Sequence, residues 1–461
     1  MERSDAKKIC WIAAAAAVGA VLWNAPLGME SAAQRCLALS VAAVVLWASR
    51  ALDSGVAALA LLAGYALCLD RAVVPLETVF GQWTKPTMYL VVSGFLIAEA
   101  VKLSGLGERI ALRFLARFAR SYGSVIISCY VLSFLLSFLI PHPWPRAFLL
   151  MSIMSRATED ARLDRVHAAG VGLAVFAGSV PTAAILITGD STLNAAVGSF
   201  AGVSLSWLDW VKWLGVPAIG ASAMTCAIQM ALLGKAPEFS LSRDDLRRRA
   251  DGLGRMKGRE LWTLAVLCVT LAAWTLDSLH GIDAAWIGVA AVAALSVPGV
   301  GSLNGQSWKS VSLSTLIFLC AALAVGSVGK ASGMNAWIAR TLVPAGVPHS
   351  PLLFALCAWA FCTLLHMFLG SCLAAMGIAV PAVLALAEAA AFPVLPAVII
   401  CYFAITLHWI MPFHHINILV GVGDVGGYTS ADAARLGIFQ TAVSFSAVVG
   451  ALLWWNLTGL M

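Results

Sequence analysis

The sequence predicts an all-α integral membrane protein of about eleven transmembrane helices, in two inverted-topology repeats that each hold a re-entrant hairpin and a broken helix. Three observations predict it: continuous apolar runs from end to end, polar interruptions at corresponding places in the two halves, and arginine concentrated on one side.

Of 461 residues, 61% are hydrophobic and only 11% charged, far from the balance of a soluble domain. Helix-spanning blocks recur, among them 10–25, 36–48, 55–69 and 260–276. They lack the short alternating segments of a membrane β-barrel. The first block follows "MERSDAKK" and precedes only a weak cleavage site, so 1–30 is expected to stay as an N-terminal span. The 11 cysteines show no CxxC spacing and are expected to be small buried hydrophobes.

The formal net charge is +6, and its placement matters more than its size. The stretch 234–260, "GKAPEFSLSRDDLRRRADGLGRMKGRE", is polar and basic, so the positive-inside rule makes it a cytoplasmic loop. Arginine clusters at 107–121 and 155–165 belong on the same side. These charges report topology beside a lipid bilayer, and no nucleic acid partner is expected.

The loop divides a first repeat, 31–233, from a second, 261–461. "AVKLSGLGERIA" (100–111) matches "SVGKASGMNAWIA" (327–339), "LDWVKWLG" (208–215) resembles "ADAARLG" (431–437), and Asn194 resembles Asn417 at nearly the same offset. The first half has a hairpin at 121–160, interrupted by "PHPWPR", and a broken helix at 168–203, interrupted by "TGDSTLN". The second has a hairpin at 351–390, interrupted by "LGSCL", and a broken helix at 395–428, interrupted by "MPFHHIN". Interruptions at membrane depth are tolerated where they line a cavity, and paired ones point to a transporter binding site. With the N-terminus cytoplasmic, the passages leave the C-terminus external.

These blocks, with "VVSGFLIAEAVKLSGLGERIAL" (91–112), "LSWLDWVKWLGVPAI" (205–219), "DAAWIGVAAVAAL" (283–295) and "GGYTSADAARLGIF" (426–439), make the chain resemble the divalent anion:sodium symporters of the ion-transporter superfamily. The resemblance covers nearly all of the chain. It implies an elevator-type homodimer carrying dicarboxylate, citrate or sulfate, with Ser-Asn-Thr at each hairpin tip and Thr-Pro-Pro-Asn at each break. Here the first tip reads Pro141-His142-Pro143 and the second Ser371-Cys372-Leu373. The breaks keep Asn194 and Asn417, preceded by Asp190-Ser191-Thr192-Leu193 and His414-His415-Ile416.

A charge such as Arg146 at membrane depth faces a cavity or a partner, and its planar fork suits a carboxylate, sulfonate or phosphate. It is read as a substrate contact, with a structural pair to Asp190 or a snorkel toward the cytoplasm as the alternatives. His142, His414 and His415 are read as anion-binding or proton-coupling groups, joined at the substrate by Ser371, Asn194 and Asn417. His408 and His366 are read as packing residues. Asp190, with Ser191 and Thr192, is the expected ion-coupling group through bound sodium or a proton. No metal-ligand spacing such as HExxH occurs, so no resident metal or cofactor is expected.

The expectation is therefore a secondary transporter of a small organic anion, di- or tricarboxylate-like or a sulfonate, coupled to protons or sodium, and not an enzyme. A cation/proton antiporter using Asp190 is the alternative reading. A membrane metal or haem protein is a remote one.

Overall fold

A backbone in lipid has only itself to bond, which leaves a charge-free apolar run the choice of helix. Among the described residues of the computed structural model (3–160, 163–234, 243–342, 350–369, 371–412, 414–423 and 425–461) every regular element is helical. Nine helices there are long and apolar enough to cross a membrane, from Asp5–Asn24 to Ser430–Thr458, and four shorter apolar ones accompany them. The protein is a multi-pass membrane protein.

Helix ends follow local chemistry. Asp53 accepts from the N–H groups of Gly55 and Val56, Asp164 from His167, and Ser121 and Thr429 close capping boxes, satisfying donors with no partner inside their own helices. Gly105 follows the apolar helix Pro86–Ser104 at φ 78°, and Gly333 lies just past Leu313–Ala331 at φ 83°. Each takes the left-handed conformation that glycine adopts without steric cost. Short helices, Leu106–Phe118 and Met334–Leu342, then leave in new directions.

One group of helices pairs Pro86–Ser104 with Ala284–Leu295 and Ser54–Cys68 with Leu313–Ala331. A second group gathers the interrupted segments. Tyr122–Ser137 and Pro143–Asp160 pack on Arg165–Ser179, while Pro351–Phe368 and Cys372–Ala389 pack on Val394–Thr406. Trp207–Leu233 packs along Ser430–Thr458 and against Arg165–Ser179.

The basic stretch is docked in its described part; residues 235–242 lie outside the described residues. Helix Arg243–Gly252 lies on Leu106–Phe118. Beneath it Arg109, 4% exposed, binds both carboxylate oxygens of Glu260 and donates to the carbonyls of Gly254 and Leu253. A buried guanidinium needs that many partners to offset its desolvation.

Candidate functional site: two hairpin tips and two helix breaks

Three alternating prolines explain the first tip. Helix Tyr122–Ser137 ends before Pro141, and the next helix begins at Pro143, so Pro143 and Pro145 fall in a first turn whose N–H groups have no helical partner anyway. The His142 ring stacks on Phe95 with centroids 5.1 Å apart, and its Nδ1 accepts from Trp144 N at 3.3 Å. That leaves the proton on Nε2.

Arg146, one turn on, is 0% exposed. Its Nη1 donates to Ile140 O at 2.8 Å and to Gly189 O at 2.6 Å, tying the tip to the first break. Pro141 O accepts from Ser191 N at 3.0 Å, a second tie between the same segments. The anticipated alternative, an ion pair with Asp190, does not form among the described residues. Asp190 instead turns Oδ1 to the N–H groups of Thr192 and Leu193, at 3.0 and 3.1 Å, capping Leu193–Ala201. A carboxylate at a helix N-terminus meets backbone donors at no cost in reach, whereas pairing with Arg146 would strip them.

Unsatisfied donors collect here. Arg146 Nε and Nη2 and the hydroxyls of Thr188, Ser191 and Thr192 are buried with no hydrogen-bond partner among the described residues. Each such group costs about 1–3 kcal/mol, more for a charged one. Five such atoms gathered at one tip and one break mark a place where something else supplies the acceptors.

The two breaks are stitched to each other. Asn194 Nδ2 faces the carbonyls of Ala183 and Leu186 at 2.9 Å and Ile187 at 3.3 Å, and its Oδ1 accepts from Tyr402 in the other broken segment at 2.6 Å. In return, Asn417 Nδ2 donates at 3.1 Å to Ser179 in the first. The Asn194 amide is thus engaged on both ends and holds the break open in one geometry.

The second tip has different chemistry. Gly370 and Phe413 lie outside the described residues. Ser371 accepts from Ala374 N at 3.4 Å and starts Cys372–Ala389. Cys372 Sγ lies 3.4 Å from His414 O, 3.5 Å from His415 Nε2 and 3.9 Å from His366 Nε2. His366 and His408, expected as packing residues, stand with His414 in one cluster, their rings 4.4 to 5.6 Å apart. Spacing gave no sign of it, since 42 residues separate His366 from His408.

A cavity of about 850 Å³ reaches this region, lined by Lys85, Thr87, Ile187, Asn194, Ser199 and Asp277 among others. Ile187 and Leu90 also wall a void of about 10 Å³ bounded by Pro141, Thr188 and Ser191. The wide cavity opens at the Pro86 end of Pro86–Ser104, and the basic helix docks near the other end, about 28 Å away for 19 residues at 1.5 Å each.

Residues 6–461 match the family model described as the sodium:sulfate symporter transmembrane region. The chain is 23% identical over 453 residues to a protein named "Membrane protein" of Cupriavidus necator, covering 92% of this chain and 87% of that one. It is 23% identical over 355 residues to a putative malate transporter of Bacillus subtilis, covering 74% and 73%. With a chloroplastic dicarboxylate transporter 1 of Arabidopsis thaliana it shares 25% identity over 346 residues, 72% of this chain and 61% of that one. Helical architecture, interrupted segments and a match along nearly the whole sequence agree, and the chain belongs to the sodium:sulfate symporter family, the divalent anion:sodium symporters that its aligned blocks resemble.

Proposed function

We propose that the protein is a secondary transporter of a small organic anion, a di- or tricarboxylate or a sulfonate, bound at the first tip and break. The observation that carries this reading is Arg146: a wholly buried guanidinium with Nε and Nη2 unpartnered, beside three unpartnered hydroxyls. A fork of two donors on one edge matches two oxygens of a carboxylate or sulfonate. Thr188, Ser191 and Thr192 supply the remaining donors, and His142 Nε2 adds another at the rim. Relatives named as malate and dicarboxylate transporters are consistent with that cargo.

Asn194 and Asn417 act in this reading as staples that shape the site. His414, His415 and Ser371 close it from the second tip. The wide cavity at the Pro86 end is the external entrance, because the basic stretch is cytoplasmic by the positive-inside rule. Paired hairpins and reciprocal asparagine stitches support two inverted repeats, and family membership supports an elevator motion in a homodimer. Asp190, capping the helix beside the substrate, is the group through which sodium or a proton couples.

Uptake into proteoliposomes tests the reading. Malate, citrate, sulfate and a short sulfonate are each offered with an inward sodium gradient, a proton gradient or neither. Accumulation of at least one anion, driven by one gradient and abolished in Arg146→Ala, is expected. Cation flux that ignores every anion and stops in Asp190→Asn would replace this reading with the antiporter.

A further inference from the structure

We infer that His366, His408 and His414 form a binding site for a borderline transition-metal cation, with zinc as the reference ion, that bridges the second hairpin to the second helix break. This goes beyond the transport reading and does not rest on it.

The three residues come from separate pieces of the second half. His366 is in the last turn of Pro351–Phe368, His408 follows the end of Val394–Thr406, and His414 lies six residues further along the break. They are 0%, 0% and 1% exposed, and one ring nitrogen from each falls within 4.8 Å of the others. His366 Nδ1 and His408 Nδ1 face each other at 3.4 Å. That is longer than the usual hydrogen bond of about 2.9–3.0 Å to a nitrogen donor. It equals the ligand-to-ligand separation of roughly 3.3–3.4 Å that two imidazoles take on one tetrahedral ion with metal–nitrogen distances of about 2.0–2.1 Å.

The surroundings fit a metal better than packing. With Nδ1 turned to an ion, His408 holds its proton on Nε2, which is buried without a partner among the described residues, so the metal would be that ring's strong interaction. Cys372 Sγ lies 3.9 Å from His366 Nε2, at the edge of that ring away from Nδ1, so the ligand set is the three imidazoles and a fourth position is left to water. His414 Nδ1 accepts from Ile410 N at 3.1 Å. Ligation by either nitrogen of that ring gives up this bond, so the His414 stretch must adjust on binding. Neutral imidazoles select zinc, copper, nickel or cobalt over magnesium and calcium, which demand oxygen. A bound ion would fasten hairpin to break, making the second half stiffer.

The test uses full-length protein in detergent, freed of any affinity tag, stripped with a chelator and dialysed against micromolar zinc or, in parallel, magnesium. One zinc and no magnesium per chain are expected to remain. His366→Gln and His408→Gln should each weaken zinc binding by about 100-fold or more, since even outer-sphere changes cost roughly 10–100-fold. Their metal-free melting temperatures report whether they fold. Should either variant misfold, cobalt in the wild type decides: the intense visible bands of a tetrahedral ion support the site, and an octahedral spectrum or none overturns it. Equal zinc retention in wild type and folded variants, or none in wild type, also overturns it. No arm uses an anion or measures flux, so this result and the transport result fail independently.

Discussion

At the first tip one guanidinium reaches the carbonyls of Ile140 and Gly189 and keeps Nε and Nη2 unspent, with three hydroxyls around it in the same condition. At the second, the rings of His366, His408 and His414 face one another, and the thiol of Cys372 lies beside His366 and His415. Both tips solve the same backbone problem, since each ends one helix and starts another inside apolar surroundings. They solve the side-chain problem differently. The first stores fixed positive charge and unmet donors, the chemistry of an anion receptor. The second gathers imidazole nitrogens, the chemistry of a borderline transition-metal site or a proton carrier.

The sharpest way to break this comparison is to exchange the losses. Arg146→Ala should lower anion uptake by about 100-fold or more, because two charge-assisted hydrogen bonds of roughly 1.5–3 kcal/mol each vanish. His408→Gln in metal-free buffer should stay within about threefold of wild type. Uptake equally sensitive to both would assign the substrate to the space between the tips.

Next come the staples. Asn194→Ala removes the partner of the Tyr402 hydroxyl and the amide that faces the carbonyls of Ala183, Leu186 and Ile187, of which Leu186 O keeps Gly189 N, and should cost about 2–4 kcal/mol, read as a lowered midpoint in thermal or denaturant unfolding. Asn417→Ala breaks the 3.1 Å bond to Ser179 and should cost about 1 kcal/mol. Equal losses would show that the breaks bear load symmetrically.

Smaller effects follow where the hairpins touch the outer helices. A methyl at Gly94 would sit 2.4 Å from Ser191 Oγ, whereas one at Gly326 would meet Pro381 Cγ at an ordinary 3.7 Å. Gly94→Ala should therefore cost about 1–3 kcal/mol by overpacking. Gly326→Ala, in a helix interior, should be neutral or stabilise by up to about 1 kcal/mol. The unfolding midpoints of the two variants decide it, and a tolerant Gly94 would mean that the first tip yields. Tyr402→Phe removes one 2.6 Å bond to Asn194 and should cost about 1 kcal/mol in the same unfolding measurement. A loss as large as that of Asn194→Ala would make the hydroxyl, not the carbonyl contacts, the main tie.

Arg146 was legible as a residue that needs a partner or a cavity because a charge inside an apolar run is costly wherever the chain folds. Its partners were not: Asp190, inside the first interruption, was the alternative mate, yet it caps a helix and backbone carbonyls take the guanidinium. Asn194 read as a substrate ligand, and its amide proves to be engaged by Ala183, Leu186 and Tyr402. His366 and His408 carried no signal, since each alone looks like a packed membrane histidine.

The sequence by itself determined the helices, their interruptions and the family, because hydrophobic runs, prolines at 141, 143 and 145 and capping residues act on neighbours a few positions away. Tertiary structure alone decided which polar atoms are satisfied and which are left over. Hydrogen bonds and ligand sets join residues tens or hundreds of positions apart, as Tyr402 and Asn194 are by 208, and such meetings exist only once helices pack. The unspent donors of the first tip and the histidine triad of the second are both products of that packing.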